Sequence, residues 1–213
     1  MKHIICDKII LASESEARKQ LLKKYDIPFE ACPTNVSEDH WNHPDPAIRA
    51  YERALAKMNH ALTTFEVDVS SLIIASDQTM ACQGVIYDKA QDEAEARDRL
   101  KILQGQCHSL YNATILSYMH RDEKHILATL KDESHLKVKP LSDHEIDGYL
   151  KLGEWRGSVG CMRIEGAGKT LLQDIDGDED SIQGLPMKLI FAQLQSWQVT
   201  DFRSLPLHLH IPS

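Results

Sequence analysis

The feature that most restricts the fold is the stretch Ser71-Leu-Ile-Ile-Ala-Ser-Asp77-Gln78. Its unbroken run of apolar and small residues suits a strand buried on both faces, as in a sheet covered by helices on each side. The run then ends on a carboxylate. Open α/β sheets hold their ligands beyond the carboxyl ends of such strands, so Asp77 is a candidate for chemistry. The alternative is that Asp77 only starts the next turn.

Upstream, Lys8-Ile-Ile-Leu-Ala-Ser13 reads as a first strand that breaks into Ser13-Glu-Ser-Glu-Ala-Arg18-Lys19. Ala17, Leu21 and Leu22 then fit an amphipathic helix capped by Ser13 or Ser15. A strand, a serine-bearing turn and a helix N-terminus together favour phosphate. Arg18 and Lys19 in the first turn oppose the helix dipole unless an anion sits nearby. Plain N-capping with solvated charges explains the same residues equally well. Ile27-Pro-Phe-Glu-Ala-Cys32 reads as a second strand, and residues 33–46 as an exposed, mostly acidic loop containing Glu38. Residues 46–64 look helical, with Ile48, Tyr51, Leu55, Met58 and Leu62 on one face and Lys57 beside it.

After the central run, residues 79–87 read as a hairpin turning at Gln83-Gly84 and ending in Asp88-Lys89. A helix over 91–103 closes at Gly105. Residues 108–119 and 125–138 form a β-ribbon joined by the polar turn at 121–124. Ser142-Asp143 opens a short helix, and 153–168 is a glycine-rich, charged binding loop. A strand at 170–175, a solvated acidic turn at 176–180 and a helix at 185–194 complete the pattern. Residues 197–213 show no clear period.

At 213 residues the chain is large enough for one domain, or one domain with a small lobe. A net charge of -8 disfavours nonspecific binding to nucleic acid or an anionic membrane. A phosphate site therefore needs a local cluster of Lys and Arg. The start, Met-Lys-His-Ile-Ile-Cys, lacks the apolar core of a signal peptide, and no apolar run reaches ~18 residues. The five cysteines are scattered and never form Cys-x-x-Cys, which points to free thiols in a reducing cytoplasm.

Three tempting motifs fail. Gly166-Ala-Gly-Lys169-Thr170 lacks the first glycine of a P-loop, since Arg163 stands there, and it does not open a helix. Asp174-Ile-Asp-Gly-Asp-Glu-Asp180 misplaces the glycine of a calcium loop and lacks its terminal glutamate. His208-Leu-His210 offers only two metal ligands.

Ser13, Ser15, Arg18, Glu38, Lys57, Asp77-Gln78, Lys89 and Glu165 together combine cations for phosphates with acids for a divalent cation. That mix suits hydrolysis of a nucleoside triphosphate, where catalysis is mostly positioning and charge stabilisation. In order, the motifs resemble those of the Maf family of nucleotide pyrophosphatases. Leu11-Ala-Ser-Glu-Ser-Glu-Ala-Arg18 resembles its L-A-S-x-S-P-x-R, and Ala54-Leu-Ala-Lys57 its A-x-x-K helix. Ser76-Asp77-Gln78 resembles its D-T or D-Q, Asp88-Lys89 its G-K, and Ile182-Gln-Gly-Leu-Pro186 its V-G-L-P. The match runs over residues 8–195.

The resemblance implies a single domain over 1–213 with an α/β fold of the Maf and inosine-triphosphatase kind: a long twisted mixed sheet flanked by helices, with two lobes and a cleft. It also implies a cytoplasmic homodimer that binds a nucleoside triphosphate and needs Mg²⁺ or Mn²⁺, with neither nucleic acid nor membrane as partner. Asp77 would then be the general base and lie near the metal, with Glu38 helping to hold the cation. Ser13, Ser15, Arg18, Lys57 and Lys89 would bind the triphosphate, while Ala17, Gln78 and Glu165 would line the base pocket. Ser76-Asp77-Gln78 with Glu165-Gly166 resembles the branch associated with 7-methyl-GTP, rather than the D-T branch associated with dTTP and UTP. The departures are Glu16 for proline, Ala17 for a stacking tryptophan, and Asp88 and Ala90 around Lys89 where glycine and proline are usual. Trp41 and Trp155 are the aromatic replacements to consider. The alternatives are action on dTTP, UTP or another noncanonical nucleotide, and a catalytically weak nucleotide-binding regulator of cell division.

Overall fold

A computed structural model describes residues 2–37 and 40–212. The chain begins with strands β1 (Lys2–Cys6) and β2 (Lys8–Leu11), helix α1 (Glu16–Lys24), the short strand β3 (Glu30–Ala31) and the long helix α2 (Pro46–Thr64). The hairpin β4 (Ser71–Cys82) and β5 (Val85–Tyr87), helix α3 (Glu93–Leu103), and the ribbon β6 (Cys107–His120) and β7 (Glu123–Val138) follow. Next come α4 (Asp143–Leu150), a 3-10 turn (Ala167–Leu171), β8 (Leu172–Asp176), α5 (Glu179–Ile182), α6 (Met187–Ser196) and β9 (Leu207–Ile211). Among the described residues no helix is long and apolar enough to cross a membrane.

Seven strands form one mixed sheet in the order β3-β2-β4-β6-β7-β8, with β5 also on β4, while β1 and β9 pair separately. β2 is parallel to β3 and β4; the other pairings are antiparallel. The sequence places a strand end at Asp77, and the structure corrects this. β6 pairs with β4 from Ser71↔Met119 through Asp77↔Ala113 to Ala81↔Ser109, so backbone hydrogen bonding carries β4 past the carboxylate. On the opposite edge β2 accompanies only Ser71 to Ile74, and β5 only Met80 to Cys82. The gap between them exposes an edge of β4 at 75–79. The strand whose carboxyl end creates the cleft is therefore β2, and Asp77 reaches it from the middle of β4.

The alternation of side chains along β4 divides the core. Leu72 and Ile74 join Leu11, Leu21, Ile190 and Trp197 beneath α1 and α6. Ile73 and Ala75 pack on the opposite face against Ala50, Ala54 and Met58 of α2. Beyond Asp77, Met80 and Cys82 belong to a third cluster with Leu100, Leu136, Ile146 and Trp155. One continuous strand thus links both lobes.

The helix over 46–64 forms as expected, started by Asp45, whose carboxylate accepts the Ala47 and Ile48 N–H groups at 2.8 and 3.0 Å. Its buried face is rotated from the row of large apolar residues. Ala50, Arg53, Ala54, Met58 and Ala61 are buried, whereas Ile48 is 39% exposed. Small alanines let the helix lie close on the sheet, and the larger Tyr51, Leu55 and Leu62 flank the contact half-buried.

The tail also differs from its reading. Leu207-His-Leu-His-Ile211 does alternate, and β9 pairs with β1 (Ile4↔Leu209), burying Leu207 and Leu209. The acidic turn is not wholly solvated. Asp178 caps α5, and Asp180 is buried, accepting from Lys24 Nζ at 2.7 Å and from the Tyr25 hydroxyl.

Candidate active site

From the end of β2 the chain enters a tight serine turn. Ser13 Oγ accepts the Ser15 N–H at 3.1 Å, and Ser15 caps α1 by accepting the Arg18 N–H at 3.5 Å. Arg18 does not extend into solvent. Its Nε donates to the Gly184 carbonyl at 2.8 Å and one terminal nitrogen to Ser13 Oγ at 3.3 Å. The same carbonyl accepts Ser76 Oγ at 3.1 Å. Gly184 has φ of +103°, a conformation that L side chains avoid. The glycine thus lets one carbonyl tie the serine turn to β4.

These elements enclose a cleft of about 300 Å³. Ser15, Ala17, Arg18, Asp77, Gln78, Lys89 and Glu165 all line it. Ser13 lies buried behind the turn, and Lys57 reaches the cleft through its ion pair with Asp77. Glu38 lies outside the described residues. Neither Trp41 nor Trp155 is in the lining. Trp155 instead sits in the core of the second lobe with the Arg156 guanidinium over its ring.

Asp77 projects from β4 toward α2, where Lys57 pairs with its Oδ1; their side chains are only 6% and 12% exposed. The other oxygen, Oδ2, is buried and has no hydrogen-bond partner among the described residues. An unsatisfied buried carboxylate oxygen is costly, so this atom is prepared for a water or a cation. Magnesium is commonly held by one or two carboxylates plus substrate phosphates. No cluster of three His, Cys, Asp or Glu ligands occurs among the described residues. The buried Oδ2 fits a hard cation, for which Asp77 would be a ligand.

Ser76 and Gln78 project from the other face. Gln78 Nε2 lies 3.1 Å from each of Asn112 Oδ1, Ser181 O and Ile182 O. Two backbone carbonyls fix the amide orientation, which leaves the Oε1 acceptor for the cleft. Glu165 lies on a loop anchored by the Arg163 N–H to the Tyr149 hydroxyl at 3.1 Å and by the Ala167 N–H to Glu154 at 2.8 Å. Gly168 closes that loop: a Cβ there would stand 2.5 Å from the Arg163 backbone. Gly168→Ala is expected to destabilise the fold by about 1–3 kcal/mol through overpacking. Melting temperature and nucleotide KM should both report the displaced loop.

The family model described as Maf-like protein matches residues 8–197. The chain belongs to the Maf family. It is 35% identical to the 7-methyl-GTP pyrophosphatase of Rhizobium meliloti, over 91% of this chain and 98% of the relative. It is 33% identical to the dTTP/UTP pyrophosphatase of Pyrococcus furiosus, over 88% and 94%. It is 36% identical to the nucleoside triphosphate pyrophosphatase of Caulobacter vibrioides, over 84% and 90%.

Two residues of this Maf chain reach the cleft without having been singled out for a role. Arg53 lies one helical turn before Lys57, so the i, i+4 spacing was the available signal. Asp88 stood out only as a departure from the family pattern, yet it accepts from Arg53 at 2.8 Å. That contact joins residues 35 apart in the chain, and no local pattern announces it.

Proposed function

We propose that this protein hydrolyses the α–β phosphoanhydride of a nucleoside triphosphate, releasing the monophosphate and pyrophosphate, and that 7-methyl-GTP is its preferred substrate. The observation that carries the reaction is the buried Oδ2 of Asp77, without a partner among the described residues, in a cleft also lined by Arg18 and Lys89. In this reading Asp77 takes a proton from the water that attacks the α-phosphorus. The new P–O bond forms as the bond to pyrophosphate breaks, and the cations stabilise the charge that develops on the oxygens. Lys57 holds Oδ1 and so fixes the carboxylate with Oδ2 available. Asp77 and Glu38 are the carboxylates that would hold Mg²⁺ or Mn²⁺. A bound cation of this kind supplies charge neutralisation at phosphate oxygens.

Two acceptors support the choice of substrate. Gln78 Oε1 and the Glu165 carboxylate suit a base edge with two neighbouring donors, the N1–H and amino group of guanine. Methylation at N7 makes that ring cationic, which favours a carboxylate partner. Uracil and thymine offer one donor between two acceptors and match less well. Pyrophosphate release across 7-methyl-GTP, GTP, UTP, dTTP and CTP, with Mg²⁺ or Mn²⁺, tests the proposal. Glu165→Gln is expected to lower kcat/KM for 7-methyl-GTP by roughly tenfold or more, from the loss of a charged hydrogen bond of ~1.5–3 kcal/mol. Wild-type preference for dTTP or UTP would overturn the substrate. Nucleotide binding with no release from any of them would favour the regulator instead.

A further inference from the structure

We propose that Arg53 is a further triphosphate-binding residue, held in the free protein by Asp88, whose carboxylate stands where a phosphate oxygen binds. The inference rests on the nucleotide-hydrolysing reading of the same cleft. Both residues line it. Asp88 Oδ1 accepts from an Arg53 terminal nitrogen at 2.8 Å, and Arg49 lies 3.9 Å from Oδ2. Carboxylates and phosphates present the same paired oxygens to a guanidinium fork, so each can replace the other there.

The two partners differ in freedom. The Arg53 side chain is 5% exposed, whereas that of Asp88 is 58% exposed. Arg53 is pinned by Nε donating to the Trp41 carbonyl at 3.3 Å and by a terminal nitrogen donating to Asn42 Oδ1 at 3.5 Å. Its helix is packed on the sheet through Ala50 and Ala54. The Asp88 carbonyl is also held, by Arg99 at 2.8 Å, but its carboxylate lies in the open. Rotation of the exposed Asp88 side chain therefore takes its carboxylate off the Arg53 guanidinium with no movement of backbone.

Electrostatics favours the exchange. Asp88 adjoins Lys89, and the lining already carries Glu14, Glu16 and Glu165. A polyanionic triphosphate entering beside these acids is repelled by the Asp88 carboxylate and attracted by the guanidinium behind it. Asp88 thus lowers triphosphate affinity by competing for the guanidinium between turnovers.

The test uses the full chain and two readouts. Calorimetric binding of inorganic tripolyphosphate isolates the phosphate subsites from both base recognition and hydrolysis. Asp88→Asn is expected to bind tripolyphosphate roughly tenfold more tightly, a scale set by one exchanged charged contact. Its nucleotide KM should fall by more than kcat changes. Arg53→Lys should weaken binding, and the gain from Asp88→Asn should vanish in the Arg53→Lys background. Unchanged or weaker tripolyphosphate binding by Asp88→Asn, with an unaltered melting temperature, would overturn the proposal. Wild type that binds no tripolyphosphate would overturn it together with the triphosphate reading of the cleft. Tripolyphosphate binding without hydrolysis of any nucleotide would overturn the pyrophosphatase reading, and the comparison of variants would still decide Arg53.

Discussion

Asp77→Asn is expected to reduce turnover by about 10²- to 10⁴-fold, the usual contribution of a positioned general base. Asparagine keeps the shape of the side chain and leaves the β4–β6 pairing at Ala113 untouched. Its amide oxygen can still accept from Lys57. The stability cost should therefore fall below the ~3–5 kcal/mol of breaking a buried ion pair outright. What it lacks is a second oxygen able to take a proton, because the atom in the place of Oδ2 becomes an NH₂ donor. The loss should appear in kcat, since the phosphate cations Arg18 and Lys89 remain in place. Pyrophosphate release measured beside a melting curve separates the two effects. A folded Asp77→Asn protein with wild-type turnover would remove Asp77 from the role of base.

The long elements of this fold were legible because their periods are long and clean. The helix over 46–64, the hairpin at Gln83-Gly84 and the ribbon over 108–138 all form where the pattern puts them. Errors arose where a distant contact overrides the local signal. Asp77 reads as a strand end because a carboxylate follows six buried residues of β4, yet β6 continues to supply hydrogen bonds beyond it. Asp180 looked solvated because its neighbours are acidic, but Lys24 and Tyr25 reach it from more than 150 residues away. On α2 the large apolar residues mark one face, but the alanines that permit close packing decide which face is buried.

The candidate site was legible in a different way. No single motif points to it, and the order of five weak motifs does so only through resemblance. The structure then brings Ser15, Ala17, Arg18, Asp77, Gln78, Lys89 and Glu165 into one cleft. Physical proximity of residues spread over the chain is what the order alone could not supply. The Arg53–Asp88 pair shows the same limit, since it exists only once α2 and the β5–α3 connection face one another.

The second large effect concerns acid stability and rests on His108. This residue lies in β6, 3% exposed, and its Nδ1 has no hydrogen-bond partner among the described residues. It borders a cavity of about 20 Å³ shared with Gln78, Leu110, Leu136 and Met162. Burial in these apolar surroundings pushes its pKa down from 6.5 to about 4. The folded imidazole is therefore neutral at pH 5, whereas the unfolded one is largely protonated. Between pH 6.5 and about 4 the unfolded chain binds more protons, so stability must fall as pH falls through that window. Above 6.5 the contribution is complete. A displacement of this size corresponds to about 3 kcal/mol. His108→Leu removes both the titrating group and the unpartnered nitrogen while nearly preserving volume. Urea unfolding of both proteins from pH 7.5 to 4.5 should give a gap that shifts toward the variant by most of that amount, because the other titrations are common to both proteins. Identical pH slopes in the two proteins would mean that the His108 imidazole gains a proton as readily inside the fold as outside it.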